Sequence, residues 1–362
     1  MQFLKQFEKE LKDETGIGDS SEPPRYWYNS GNYCLNRIVS GSFYKAIPQG
    51  RITGLVGPSG TGKSYLTGNI VKMVQQQSDW AFVLDSENAL DNDYMGNVGV
   101  KVDKDYIYKS VTTIPNAIKA VSTFLKGYRD EYGTDLKAPR VLIALDSLDM
   151  LSTESELEHF QKGDMSADQG LRAKQAKMML RQFVQNIKGL NVSMVITGQV
   201  YAATQAQILQ GEGVWVVNQA IRYALSQIVL LKKLKLKDEN KDVSGIRMIA
   251  EGFKTRFTKP YQTVEIEIPY DKGIDPLSGL KDAFISLGVI EKRGSRLALP
   301  GSSDTFYERD LPKYVDDLLL KAEALSKKFI SVPVDDKEID PQQNIPGELK
   351  GRRADAAEVE VV

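Results

Sequence analysis

The run GPSGTGKS, residues 57–64, has the residue types and spacing to hold a polyphosphate. An apolar stretch ending at Val56 enters it and an amphipathic segment leaves it. That strand, turn and helix start is the setting in which a GxxxxGK[ST] string becomes a phosphate cradle. Backbone N–H groups of the turn and of the helix start converge on the phosphates, and Lys63 brings a full positive charge to the β and γ positions. Ser64 is placed to ligate Mg2+ through its hydroxyl. Gly57, Gly60 and Gly62 omit the Cβ that would block the turn or hold the backbone off the ligand.

Three further polar stations follow at the ends of apolar runs. WAFVL ends in Asp85, Ser86 and Glu87; VLIAL ends in Asp146; VSMVIT ends in Gly198 and Gln199. An open parallel sheet binds its ligand beyond the carboxyl ends of its strands, so these groups and the loop after Val56 belong to one edge. Asp146 is the candidate for the Mg2+ side of the site, acting directly or through water. His159 is the single histidine, which leaves a carboxylate to orient a water for attack on the γ-phosphate. Glu87 and Asp85 both have the position for it. Gln199, with a donor and an acceptor, suits sensing of the γ-phosphate and passing that state to the loop behind it.

Such stations need a sheet to carry them. Apolar runs at 52–56, 80–84, 106–109, 141–145 and 192–197 alternate with helical patterns at 63–77, 115–132 and 171–188. This predicts βαβ units around a mainly parallel sheet flanked by helices, an α/β fold. Runs at 228–236, 246–250 and 263–268 add strands, the last two with the alternation of a half-covered antiparallel edge. Residues 88–99 read as a polar connection, and 150–170 and 200–218 as weakly patterned loops. A helix over 280–287, a small strand-turn element over 288–299 and a helix over 310–329 complete the pattern.

At the N-terminus, Phe3, Leu4, Phe7 and Leu11 mark a short helix ahead of a linker rich in Gly and Pro. The expected organisation is an oligomerisation helix and linker over 1–25, a nucleotide-hydrolysing core over 26–290 and a small C-terminal region over 291–330. A disordered, acidic-leaning tail over 331–362 follows, with eight acidic against four basic residues between Asp335 and Val362.

Residues 30–290 resemble the RecA family of homologous-recombination ATPases, and most closely the phage recombinases of the UvsX type. The resemblance rests on GPSGTGKS, LDSENALDNDY, VLIALDSLD, GLRAKQAKMMLR and GIDPLSGL in the family's order, the last of them like the phage branch. It implies a RecA-like core that hydrolyses ATP with Mg2+ and winds as a helical filament on single-stranded DNA, pairing it with homologous duplex and exchanging strands. Glu87 then looks like the catalytic glutamate. Gly57, Pro58, Ser59, Gly60, Thr61, Gly62, Lys63, Ser64 and Tyr65 look like the phosphate-binding set, with Asp91 and Tyr94 as adenine contacts. Gln199 resembles the γ-phosphate sensor. Residues 150–170 and 200–218 resemble the two DNA-binding loops, with Arg172, Lys174 and Arg222 as contacts to the DNA backbone. Lys254 and Arg256, in GFKTRFTK, match the basic pair that reaches a neighbouring subunit's ATP.

The second loop contains no lysine or arginine. Its hydrogen-bonding residues, Gln207 among them, would touch DNA, while Trp215 either packs on bases or closes over the core. One departure stands out: Gly198 precedes Gln199 where bacterial members have an asparagine and phage relatives have Asn-His. A single-stranded-DNA-binding protein and a loader or mediator are the further partners the resemblance implies. A hexameric helicase on the same core and a non-hydrolysing recombinase regulator are the alternatives.

Gross composition agrees with these expectations. With 47 basic against 48 acidic residues, any nucleic-acid contact uses a local patch. Cys34 is the only cysteine, which excludes an internal disulfide framework and a cysteine-based zinc cluster. No apolar stretch reaches the roughly 18–20 residues that span a bilayer, and no apolar signal core opens the chain, so a soluble, cytoplasmic protein is expected.

Overall fold

Eight strands form the central sheet: β1 (Ile52–Val56), β2 (Trp80–Asp85), β3 (Tyr106–Ser110), β4 (Val141–Asp146), β5 (Val192–Gly198), β6 (Gln227–Lys237), β7 (Val243–Lys254) and β8 (Thr263–Pro269). Their spatial order is β8-β7-β6-β1-β5-β4-β2-β3. From β6 to β3 all neighbours are parallel. β7 and β8 extend the β6 edge in antiparallel fashion. This is the expected mainly parallel sheet with an antiparallel extension. The computed structural model describes residues 6, 23–133, 135–164, 170–203, 215–238 and 240–328. The expected N-terminal helix apart from Gln6, the site candidate Gln207 and the acidic tail lie outside the described residues.

Alternation along the buried strands divides the core between two faces. Ala81, Val83, Leu142, Ala144 and Val195 pack with α1 (Tyr33–Ser40) and with Leu66, Ile70 and Val74 of α2 (Lys63–Gln76). Phe82, Leu84, Ile143, Leu145 and Ile196 pack on the opposite face, against Val121 and Leu125 of one helix and Leu180 and Phe183 of another. These are α4 (Ile114–Tyr132) and α6 (Leu171–Ile187); α3 (Asn92–Val98) and α5 (Glu154–Gln161) precede them in turn. Each Val, Leu, Ile or Phe side chain buried in this way contributes about 1.5–3 kcal/mol. The sheet therefore separates the helix that starts at the phosphate loop from the helix that follows the first polar loop.

Several segments are more ordered than their composition suggests. Residues 88–99 contain α3, whose N-cap Asp91 accepts the Tyr94 N–H at 2.8 Å. The segment 150–170 contains α5, started by a capping box in which Thr153 and Glu156 exchange side-chain and backbone bonds. Two short strands, Val200–Ala202 and Trp215–Val217, pair in antiparallel register and make the second loop a hairpin with an ordered stem. The last helix starts later than its apolar pattern. Pro312 lacks an N–H donor, and a 3-10 turn over Glu308–Tyr314 leads into α-helix only at Val315. Among the described residues no helix is long and apolar enough to cross a membrane.

Candidate nucleotide site and the loops around it

The phosphate loop is folded by its own hydrogen bonds. Thr61 donates its hydroxyl to the Pro58 carbonyl at 2.9 Å, and Gly60 and Gly62 take φ of 69° and 91°, the left-handed region that glycine tolerates. At Gly57 the constraint is space: a Cβ there would lie 2.4 Å from the Leu231 carbonyl oxygen. Gly62 is also the N-cap of α2 and offers no side-chain acceptor, so the first N–H groups of the helix remain for an anion. Lys63 is buried, and its ammonium donates to the carbonyls of Gly57 at 2.9 Å and Pro58 at 3.0 Å. Burial lowers its pKa, while the charges of Asp146, Glu87 and Asp149 favour the ammonium form. The phosphate lysine and these carboxylates thus share one field.

Asp146 is 1% exposed. Thr197 donates to its Oδ1, whereas Oδ2 is buried and has no hydrogen-bond partner. Burial raises its pKa, and the nearby hydroxyls of Ser64 and Thr197 favour the ionised form. A buried carboxylate oxygen without a donor, next to a serine hydroxyl at the start of α2, is the donor set that suits a hard cation such as Mg2+. Ser64 and Asp146 would hold it.

Asp85 and Glu87 divide differently from their sequence neighbourhood. Asp85 is fully buried, and it accepts the backbone N–H of Glu87 at 2.9 Å, that of Leu90 at 2.8 Å and the Tyr108 hydroxyl at 3.1 Å. Its oxygens brace the turn after β2. Glu87 is exposed and accepts a hydrogen bond from the Ser147 hydroxyl at 2.5 Å. Ser86 clamps the same turn to β4: its N–H donates to the Asp146 carbonyl at 2.7 Å and its hydroxyl donates to the Ser147 carbonyl at 2.7 Å. The peptide between Asp146 and Ser147 is cis.

Tyr94 is half-buried, and burial together with Tyr65 and Asp146 pushes its hydroxyl up to about 12. Tyr65 and Tyr94 therefore stand together beside the loop. Asp91, the other expected adenine contact, spends an oxygen on capping α3. Gln199 follows β5 where the Gly57 N–H donates to the Gly198 carbonyl at 3.2 Å, and its own N–H donates to Asp149 Oδ2 at 2.6 Å.

The basic candidates fall in two places. Arg172, at the start of α6, donates to the Asp149 carbonyl, and Lys174, two residues on, is exposed. Arg222, in α7 (Gln219–Ala224), has its guanidinium 5.9 Å from the Phe253 ring centroid, and its carbonyl accepts the Lys254 ammonium at 2.6 Å. Burial, then the charges of Arg256 and Arg222, lower the Lys254 pKa. So Arg222, expected at DNA, shares one cationic cluster with the pair expected at a neighbour's ATP. Register shows where that cluster lies. Lys254 pairs with Ile228, which pairs with Gly54 in the middle of β1, while the phosphate loop begins past Val56. Lys254 and Arg256 thus leave the sheet in the direction away from their own phosphate loop. Trp215, in the hairpin stem, is half-buried against the core cluster on the α6 face.

Three residues at this edge were not among the sequence candidates. Thr197 holds Asp146, Ser147 holds Glu87, and Asp149 holds Gln199. The signal for Thr197 is a hydroxyl ending an otherwise apolar strand. For Asp149 it is a second acid three residues beyond Asp146.

With this geometry in hand, the comparisons with known proteins are direct. Residues 2–275 match the RecA N-terminal domain. Among curated proteins the chain is similar to Protein RecA of Campylobacter hominis, 24% identical over 302 residues, covering 81% of this chain and 82% of the relative. Protein RecA of Pseudomonas putida is 26% identical over 269 residues, 74% of this chain and 72% of the relative. Protein RecA of Pseudomonas syringae pv. syringae is 25% identical over 303 residues, 83% and 81% of the two chains. The chain belongs to the RecA family, as an ATP-hydrolysing enzyme of DNA recombination and repair.

Proposed function

We propose that this protein is a DNA-dependent ATPase that forms helical filaments on single-stranded DNA and catalyses homologous pairing and strand exchange. The observation that carries this is the direction of Lys254 and Arg256, which leave the sheet away from their own phosphate loop while sharing a cationic cluster with Arg222. A cation is useful to phosphoryl transfer only at the transferring group. In a head-to-tail polymer the pair meets the next subunit's nucleotide, so hydrolysis waits on assembly.

Within one subunit each candidate residue takes the role that the family resemblance implies. Lys63 and the amides of the phosphate loop bind the β and γ phosphates, and Ser64 and Asp146 hold Mg2+. When bound, that ion neutralises charge on the phosphate oxygens. Glu87 takes the proton of the attacking water, because Asp85 has its oxygens committed to the turn. Gln199 senses the γ-phosphate, and Tyr94 stacks on adenine with Asp91 beside it. Arg172, Lys174 and Arg222 bind the DNA backbone, with Gln207 and Trp215 of the second loop at the bases. Residues 1–25 dock on the adjacent subunit. The nearer kinship with phage recombinases of the UvsX type is inferred from GIDPLSGL, residues 273–280. A single-stranded-DNA-binding protein and a loader are the partners such a polymer needs.

The test is ATP turnover with and without single-stranded DNA, scored beside electron microscopy of the same mixtures. Stimulated turnover with helical filaments is expected. Turnover indifferent to DNA, or closed rings, would overturn the proposal.

A further inference from the structure

The nucleotide edge and the two polar loops meet at Asp149, whose charge faces Lys63 and whose carbonyl and carboxylate reach Arg172 and Gln199. Asp149 stands in the 3-10 turn Leu148–Met150 that follows β4. Its Oδ2 accepts the Gln199 N–H at 2.6 Å, and its Oδ1 lies 3.5 Å from the Tyr201 hydroxyl at the foot of the second loop's hairpin. Its carbonyl accepts the guanidinium of Arg172, the first basic residue after the other loop. One residue therefore touches the exit of the first loop, the entrance of the second and the backbone of the candidate sensor. A carboxylate is a stronger hydrogen-bond acceptor than a neutral oxygen.

The neighbouring Gly198 belongs to the same arrangement. A Cβ at 198 would sit 3.2 Å from Asp149 Oδ2 and 2.5 Å from the Ile221 methyl of α7. The space that a side chain at 198 would need is occupied by the carboxylate and by α7.

We propose that Asp149 is a positioning residue, a latch that fixes the Gln199 backbone as a pivot and ties it to both DNA-facing loops, so that the nucleotide state and DNA occupancy are coupled through it. With the Gln199 N–H held, its side-chain amide turns about a fixed point, and a displacement there reaches Tyr201 and Arg172 through one carboxylate and one carbonyl.

Because the latch presupposes DNA-stimulated hydrolysis at this site, the full-length wild type is measured first, with and without oligo(dT), beside binding of a fluorescent ADP. Asp149→Ala is expected to cut the ratio of stimulated to unstimulated turnover at least tenfold while ADP affinity stays within twofold. Asp149→Asn keeps an acceptor for the Gln199 N–H and is expected to recover at least half of the ratio. A wild type without stimulation would overturn the functional proposal itself. The latch alone is overturned if wild type is stimulated and Asp149→Ala keeps a ratio within twofold of it. Equal losses of ADP affinity and stimulation, or an Asp149→Asn ratio as low as that of Asp149→Ala, overturn it as well. If Asp149→Ala does not fold, Asp149→Ser replaces it, since it too removes the carboxylate that holds Gln199: a reduced ratio supports the latch and an unchanged one overturns it.

Discussion

Asp85 and Asp146 close neighbouring parallel strands in direct register, and both are buried, but their oxygens meet opposite surroundings. Asp85 receives two backbone N–H groups and a tyrosine hydroxyl. Asp146 receives one threonine hydroxyl and keeps a buried oxygen without a donor. A carboxylate whose acceptor capacity is filled is part of the scaffold, because any ligand would have to displace bonds worth several kcal/mol in sum. One with a bare buried oxygen is costly unless a proton or a cation joins it. Position at the strand end is shared, and the inventory of partners separates the roles.

The largest effect is expected where the bare oxygen is removed. Asp146→Ala should lower ATP turnover on the order of 100-fold or more, the scale of losing a charge-stabilising metal contact, and should abolish the Mg2+ dependence of ADP affinity. Titration of ADP with and without Mg2+ checks it, and a retained Mg2+ response would erase the distinction between the two aspartates. Asp85→Ala should act on the fold instead. Leaving three donors unpaired should cost about 2–4 kcal/mol in urea unfolding, with Glu87 losing its backbone anchor. A stability within about 0.5 kcal/mol of wild type would show that the turn does not depend on those bonds.

A smaller effect comes from a third aspartate at the other end of β2. Asp79 also has a buried oxygen without a hydrogen bond, but Arg140 lies 4.0 Å away. Burial outweighs Arg140 and raises its pKa from 3.8 to about 6. The folded protein therefore keeps this proton where the unfolded chain has lost it, and stability falls as pH rises from about 4 to about 6. Asp79→Asn should lack that fall, read as the urea midpoint against pH. An identical slope in both proteins would assign the effect elsewhere.

The sheet was legible in the sequence because its strands are short apolar runs that end abruptly in a charged or amide residue. VLIALD and WAFVLD each present the acid at the register where the strand stops. The phosphate loop was legible because its chemistry is local: glycine conformations, a lysine and a serine within eight residues. What could not be read was which acid is scaffold. Asp85 is settled by Tyr108 and Leu90, and Asp146 by Thr197, and those meetings are products of tertiary packing. Helix α5 was legible in principle, since Thr153 and Glu156 spell a capping box, but its polar composition and lack of any buried residue leave no apolar stripe to mark it. Helix α3 offers the weaker signal of Asp91 ahead of Tyr94 and Met95. That Arg222 and Lys254 adjoin depends on the register of β7 on β6, which no local pattern specifies.

A site completed by a neighbour can be rebuilt by mixing two defective proteins. Asp146→Ala lacks its own metal ligand but still offers Lys254, while Lys254→Ala retains the loop and lacks the cation. If the site is shared, an equal mixture on oligo(dT) should recover turnover toward roughly a quarter of wild type, the share of head-to-tail interfaces in which an intact loop meets an intact lysine. A mixture no more active than its two components would contradict a cation supplied in trans.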